Sequence, residues 1–427
     1  MASYLERGLL QLRTSFLPRI LSLTSRFQTF QALANPAYAR LWGANWLLYI
    51  ARMIELMALS WLVLELTDSP ARVAFVGVSR MLPMFFLGLV AGSLADRLSK
   101  VGALVGVQAL NMVVGCSVMA LLISGNIEVW HTYLAIFLTG TGWTLDFAAR
   151  RSYYSELFDP GGLVNAVSLD TASLMGSMML GPLLGGSLIA LVGFSGTYAV
   201  MVAMYLGGLV LILSLVKYGV TRNSAPKGSI VSQVTEAIQV VRGNRSIWAV
   251  FLVTVALNFF GFPYLQMVPV IARDVLGVRE VLFGILMSAA GMGALVGSLL
   301  IASSRVSRQG TVYSLGACLM LAALLLFALS QVYIISIVLL FVAGLGTSGF
   351  ATMQVTIALR AVSPEMRGRA MGAVALGIGA SPLGMMVVGP LAEVLNTQVA
   401  LALLTGSGLL VMTIMYWRLP ELRDRAS

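Results

Sequence analysis

The chain has 427 residues, is 59% hydrophobic and only 10% charged, and carries a formal net charge of +10. Its mean hydropathy of +0.91 excludes an ordinary soluble domain, in which roughly 45–50% of residues are apolar and about 25% are charged. The basic excess then concerns membrane topology and not nucleic acid, and repeated apolar runs of about 20 residues predict spanning helices, not a β-barrel of alternating segments of about 10 residues.

Residues 1–38 come first. Leu5, Leu9, Leu12, Phe16, Ile20, Leu23, Phe27 and Phe30 recur at near-helical spacing, with Arg7, Arg13, Arg19 and Arg26 among them. This pattern predicts an interfacial helix on the inner leaflet, bent near Pro18; an organelle transit peptide is the alternative. Twelve spans follow, near 39–66, 72–95, 101–123, 131–149, 163–190, 194–216, 247–272, 281–302, 311–329, 332–358, 366–392 and 398–417. The polar stretch 217–246 divides them six and six, so the expected units are 39–216, a linker, 247–418 and a tail at 419–427.

An even number of crossings returns both termini to one face. Of 27 Lys and Arg, 22 fall on that face, three (Arg72, Arg273, Arg279) on the other, and Arg52 and Arg80 within spans. The positive-inside rule makes the termini and linker cytoplasmic, in a multi-pass protein of the cell (inner) membrane. Trp130, Trp248 and Trp417 fall at span ends, as interfacial anchors do. Cys116 and Cys318 sit in apolar spans and read as small buried hydrophobes, and the single His131 cannot form a metal cluster. The sequence holds no catalytic constellation and no P-loop, so neither enzymatic chemistry, a cofactor nor direct use of ATP is expected.

The halves echo each other: GSLADRLSK at 92–100 aligns with GSLLIASSR at 297–305, and GPLLGG at 181–186 with GPLAEV at 389–394. A parallel repeat predicts an all-α integral membrane fold of two pseudo-symmetric six-helix bundles that rock about a site between them. The 92–100 loop, through Gly92, Leu94, Ala95, Asp96, Arg97 and Lys100, resembles the loop signature of the major facilitator superfamily, departing from it at Ser99. ARLWGANWLLYIARMIELMALSWLVLELTDSP at 39–70, DFAARRSYYSEL at 146–157, NAVSLD at 165–170 and SPEMRGRAMG at 363–372 look like the drug:proton antiporters that include macrolide efflux pumps and the enterobactin exporter. Near Arg52 those relatives often carry an acid, and here the residue is basic. The resemblance implies that the loop latches the bundles at the cytoplasmic gate, with Asp96 capping the eleventh span and Arg97, Lys100 and Arg151 orienting it. The alternative is that Asp96 caps only its own loop.

Charge within a bilayer is costly and usually retained for function. Five such groups occur: Arg52, Glu55, Arg80, Asp146 and Asp170, all in the first half. Asp170 is the preferred proton carrier, about 10 Å into span five, with a hydrogen-bonded helix brace as its static alternative. Glu55 follows Arg52 by three residues and Asp146 precedes Arg150 by four, so each has a same-helix ion pair as its bland reading. The second half offers neutral side chains: Asn258, Phe259, Phe260, Tyr264 and Gln266 in span seven, whose Pro263 and Pro269 loosen the helix, and Met353 and Gln354 in span ten. The resemblance implies that spans one, four, seven and ten line the cavity; Tyr49 joins these candidates. The expected function is proton-coupled export of an amphiphilic small molecule by a monomer in contact with membrane lipids. An energy-independent lipid or lysolipid flippase is the alternative, and a receptor or scaffold without transport the remote one.

Overall fold

Polar caps set where each helix begins and ends. In α1 (Pro36–Thr67) the Asn35 side chain accepts from the backbone N–H groups of Ala37 and Tyr38, and Asp68 closes the other end in the left-handed region at φ 50°. Ser99 caps α3 (Lys100–Ser124), and Gly125 at φ 70° ends it. Asn396 opens α12 (Thr397–Arg418) by accepting from Val399 N–H. The computed structural model describes residues 28–97, 99–218, 239, 241–304, 308–363 and 366–423. The expected interfacial helix lies outside the described residues except for a 3₁₀ turn at Gln28–Ala34, and the 217–246 linker lies outside them for most of its length.

Twelve crossings result. Between α1 and α3 runs α2 (Pro70–Arg97), and α4 is Val129–Leu157. The next two form one run, Pro160–Leu213, that turns at Gly193 (φ 70°, ψ −178°), a conformation a side chain would strain; its arms are α5 (160–192) and α6 (194–213). The second bundle comprises α7 (Arg245–Val275), α8 (Glu280–Ser303), α9 (Gln309–Leu329), α10 (Tyr333–Arg360), α11 (Arg367–Leu395) and α12. Nine segments among the described residues are long and apolar enough to cross a membrane, one of them holding both α5 and α6; α2 and α4 complete the twelve. Large apolar side chains such as Leu299, Leu326, Ile334 and Leu410 are more than half exposed on the outer surface. Such surface suits lipid and not water.

The repeat is visible in packing. In the first bundle α2 meets α4 where the Gly140 backbone nears the Arg80 carbonyl; in the second, α8 meets α10 where Gly293 nears the Phe341 carbonyl and Gly344 the Ala290 carbonyl. Side chains are excluded at these crossings, which lets the backbones approach closely. The bundles touch each other in the half of the membrane remote from the termini. There α5 rides on α8, with Gly284 against the Pro182 carbonyl, and α2 on α11, with Gly389 against Ala71 and Ala74.

The two cores differ. The second bundle has one continuous apolar cluster. In the first, one cluster gathers Leu48 to Leu64 with Val114, Ile136 and Tyr205, and another gathers Tyr38 to Ala44 with Leu104, Tyr153 and Leu169. Asn45, Gln108, Asn111, Asp146 and Asp170, all buried, fall between these groups along their helices. An orphaned group in such a layer costs about 1–3 kcal/mol, and among the described residues Asn45 Oδ1 and both amide atoms of Asn111 have no hydrogen-bond partner. This layer supplies most of the candidate site.

Candidate functional site

Local spacing makes the first element. On α4, Asp146 and Arg150 stand one turn apart, and the guanidinium donates from Nε to Oδ2 at 2.8 Å and from Nη2 to Oδ1 at 2.5 Å. Both side chains are 2% exposed. This is the same-helix pair their spacing predicts, and a bidentate buried pair of this type is broken only at high cost.

Asp170 is held differently. Because α5 starts at Pro160, Asp170 lies ten residues in, about 15 Å along the axis and deeper than the sequence alone indicates. Its Oδ1 accepts from Asn45 Nδ2 at 2.8 Å, from Tyr49 OH at 2.9 Å and from Tyr154 OH at 2.9 Å. Asn45 also donates to the Tyr154 hydroxyl at 2.7 Å. The carboxyl thus ties α1, α4 and α5 through neutral donors; among the described residues no cation lies within ion-pair distance of it.

Glu55 and Arg52 are both buried on α1, and the pair allowed by their spacing does not form. Among the described residues no ion pair joins them within 4.0 Å. The Arg52 guanidinium instead lies over the Trp143 ring of α4, 4.0 Å from its centroid, and its Nη1 has no hydrogen-bond partner. Glu55 has Arg52, Thr139 and Arg80 as its polar surroundings. Three charges, two of them cationic, therefore share the middle of the first bundle.

The α4 face toward α1 carries a connected row. Trp143, Phe147 and Arg151 repeat every four residues and so lie above one another. Trp143 meets Tyr49 edge-on at 5.6 Å and Phe147 at 5.9 Å, and the Arg151 guanidinium covers Phe147 at 4.1 Å. Phe147 is 37% exposed. Sequence reasoning singled out Tyr49, Arg52 and Arg151 but missed Trp143 and Phe147; the four-residue repeat of aromatic and basic residues on α4 was the available signal.

The second-bundle candidates are consumed mostly in packing. The loosened α7 contains two π-helical turns, Leu257–Gly261 and Ile271–Val275. Asn258 bonds the Thr254 carbonyl of its own helix at 2.9 Å. Gln354 donates to the Thr254 hydroxyl at 2.7 Å. Phe260 abuts Gly408 of α12, while the Phe259 carbonyl abuts Gly384 of α11. Met353 and Tyr264 are buried. Gln266 accepts from Ser60 of α1 at 3.1 Å and so bridges the bundles.

Further bridges close the face remote from the termini. Arg273 at the end of α7 donates to the Leu64 carbonyl at 3.1 Å and to Asp68 at 2.7 Å. Ser69 bonds Glu393 of α11, Trp61 stacks on Phe283 at 4.9 Å, and Ser288 donates to the Met179 carbonyl at 2.6 Å. On the opposite face, Gly92, Asp96 and Arg97 end α2, and their side-chain surroundings lie outside the described residues. Lys100 pairs with Glu156.

A family model described as transmembrane secretion effector matches residues 27–427. The chain belongs to that family. It is similar to the multidrug efflux pump Tap of Mycobacterium tuberculosis, 27% identical over 392 residues that cover 87% of this chain and 90% of that one. It is similar to the staphyloferrin A transporter of Staphylococcus aureus, 20% identical over 380 residues, 88% of this chain and 94% of that one. Among solved structures, a bacterial homolog of the human lysosomal transporter Spinster, inward-facing and unoccupied, superposes with a TM-score of 0.72 at 15% identity, covering 92% of this chain and 99% of that one. The fold is therefore that of the major facilitator transporters.

Proposed function

We propose that the chain exports an amphiphilic small molecule in exchange for protons, by alternating access between its two bundles, with the termini in the cytoplasm. The relatives' names support small-molecule efflux, and the charge asymmetry supports the orientation. Asp170 carries the reading. It is buried at the junction of three helices and, among the described residues, bonded only by neutral donors, so it could take up and release a proton without breaking an ion pair. Asp146, locked to Arg150, cannot. Glu55, with no ion pair within 4.0 Å among the described residues, is the second carrier. Proton arrival at Asp170 would change its hold on Tyr49 and Tyr154, hence the register of α1 against α4, which is where a bundle-level switch needs leverage. With the termini inside, bundle contact on the face remote from them supports reading this as an inward-open state.

The test is a panel of fluorescent amphiphiles in purified vesicles with and without an imposed pH gradient. Asp170→Asn should abolish concentrative transport and leave downhill exchange. If Asp170→Asn still concentrates a probe with the parental pH response, the assignment passes to Glu55. If neutral variants of both acids behave as the parent, an energy-independent lipid flippase becomes the better reading, with the three-donor clasp of Asp170 as a static brace.

A further inference from the structure

The charges that Asp170 leaves unexplained are cationic. Arg52 and Arg80 both face Glu55 in the centre of the first bundle, at a membrane depth where an uncompensated cation is expensive. The other acid near Arg52, Asp146, is already held by Arg150. Arg52 is 4% exposed, and it rests its flat face on Trp143. Stacking occupies the face of a guanidinium and leaves its in-plane N–H groups free to donate, in the fork that matches a carboxylate. One of them, on Nη1, is an orphan donor. Arg151 repeats the arrangement on Phe147, eight residues and about 12 Å further along α4, and Trp143 and Phe147 join the two. The face is distinct from those that pack α4 on α2 and α3: Gly140 meets α2 and Gly142 meets α3. The row therefore has an exposed end at Arg151 and Phe147 and a buried end at Arg52, with half-buried Trp143 between.

Resting on the transport reading, we infer that the row Arg151–Phe147–Trp143–Arg52 is the substrate track of the first bundle and selects an anionic amphiphile: a flat apolar body bearing a carboxylate or similar single anion. The aromatic rings take the body, Arg151 draws the anion in, and Arg52 receives it. Cationic amphiphiles meet two guanidinium groups and are disfavoured. A proton on Glu55 raises the net positive charge facing the anion, so anion and Glu55 proton bind together. Exchange of the anion for a proton then belongs to Asp170, which Tyr49 joins to Trp143 of the row.

The experiment uses the purified full chain in neutral detergent and three probes with one body: 1-pyrenebutyrate, 1-pyrenebutanol and 4-(1-pyrenyl)butyltrimethylammonium. Binding is read as energy transfer from tryptophan to pyrene, after subtraction of protein-free micelles. The butyrate should bind about tenfold or more tighter than the alcohol, and the ammonium weaker than either. Arg52→Gln should remove the preference for the butyrate and leave alcohol binding unchanged; Arg52→Lys should retain part of it. Glu55 is faced by Arg52, Arg80, Thr139, Tyr198 and Tyr205; butyrate affinity should rise as pH falls, and this rise should vanish in Glu55→Gln. Should Arg52→Gln not fold, Arg151→Gln at the exposed end decides by losing several-fold in butyrate affinity alone. Equal or tighter binding of the ammonium, or a butyrate preference that survives both arginine variants, overturns the inference. Currents evoked in proteoliposomes separate it from the transport reading. Butyrate binding of this pattern with no current from any probe defeats transport and leaves the site. Currents from the ammonium probe alone defeat the site and leave transport.

Discussion

Arg273→Gln should open the face remote from the termini. Arg273 makes two inter-bundle bonds, to Asp68 and to the Leu64 carbonyl, the latter already accepting the Asp68 N–H as the cap of α1. The two differ in worth. Asp68 is 80% exposed at the side chain and Arg273 26%, so their ion pair contributes about 0.2–1 kcal/mol, as solvated pairs do. A cation on the last carbonyls of a helix adds about 0.3–1 kcal/mol. Losing both weakens closure by about 0.5–2 kcal/mol, which multiplies the open-to-closed ratio about 2- to 30-fold. Asp68→Asn removes only the first and should multiply it by at most about fivefold. Spin labels on Asn126→Cys and Gln331→Cys, exposed on loops of the two bundles at that face, report the distance distribution by pulsed electron resonance. Raising salt should reproduce most of the Asp68→Asn effect and little of the remainder. Coincident distributions for Arg273→Gln and the parent would refute the assignment of Arg273 as a closing contact.

Two more outcomes follow from the same packing. Asp146→Asn should strand the guanidinium of Arg150, 1% exposed, and cut folded yield sharply, since leaving one partner of a buried pair costs about 3–5 kcal/mol; Asp146→Leu with Arg150→Met should recover most of the yield, measured by fluorescence-detected size exclusion. For orientation, impermeant maleimide applied to intact cells should label Asn126→Cys and spare Ser304→Cys in a chain lacking Cys116 and Cys318. The opposite pattern would place the termini outside.

The crossings were legible because their ends are chemically marked. Asn35, Ser99 and Asn396 cap the helices they precede, and most helix ends fall within a few residues of the expected spans, while α4 runs eight residues past its expected end at 149 to Leu157. The α5–α6 junction carries no polar loop; a single left-handed glycine, Gly193, makes the turn. At the site, what sequence could see was what lay on one helix. Asp146 and Arg150 pair at a spacing that geometry dictates. Arg52 had Glu55 one turn away but lies over Trp143, some ninety positions on, where the indole face attracts the guanidinium. The clasp on Asp170 draws on Asn45, Tyr49 and Tyr154, and no periodicity on α5 announces partners on α1 and α4.

The halves have divided their labour. Ile378 and Ile301 stand in the second repeat where Asp170 and Asp96 stand in the first, and the apolar core of the second bundle is correspondingly unbroken. On the proposed reading the first bundle handles charge, which bears on the driving force. With the termini inside, an outward-moving monoanion gains about 2.3 kcal/mol per 100 mV of inside-negative potential, equivalent to about a fiftyfold gradient. On the proposed reading, proton exchange at Asp170 would add to this force and not replace it. In inside-out vesicles, a lumen-positive potassium potential at equal pH should therefore accumulate 1-pyrenebutyrate in the parent and also in Asp170→Asn, provided the empty carrier returns. An acid lumen at zero potential should do so in the parent alone. Accumulation that ignores the potential, measured against protein-free vesicles, would mean that the transported species carries no net negative charge, and the anionic track would fall while exchange at Asp170 stood.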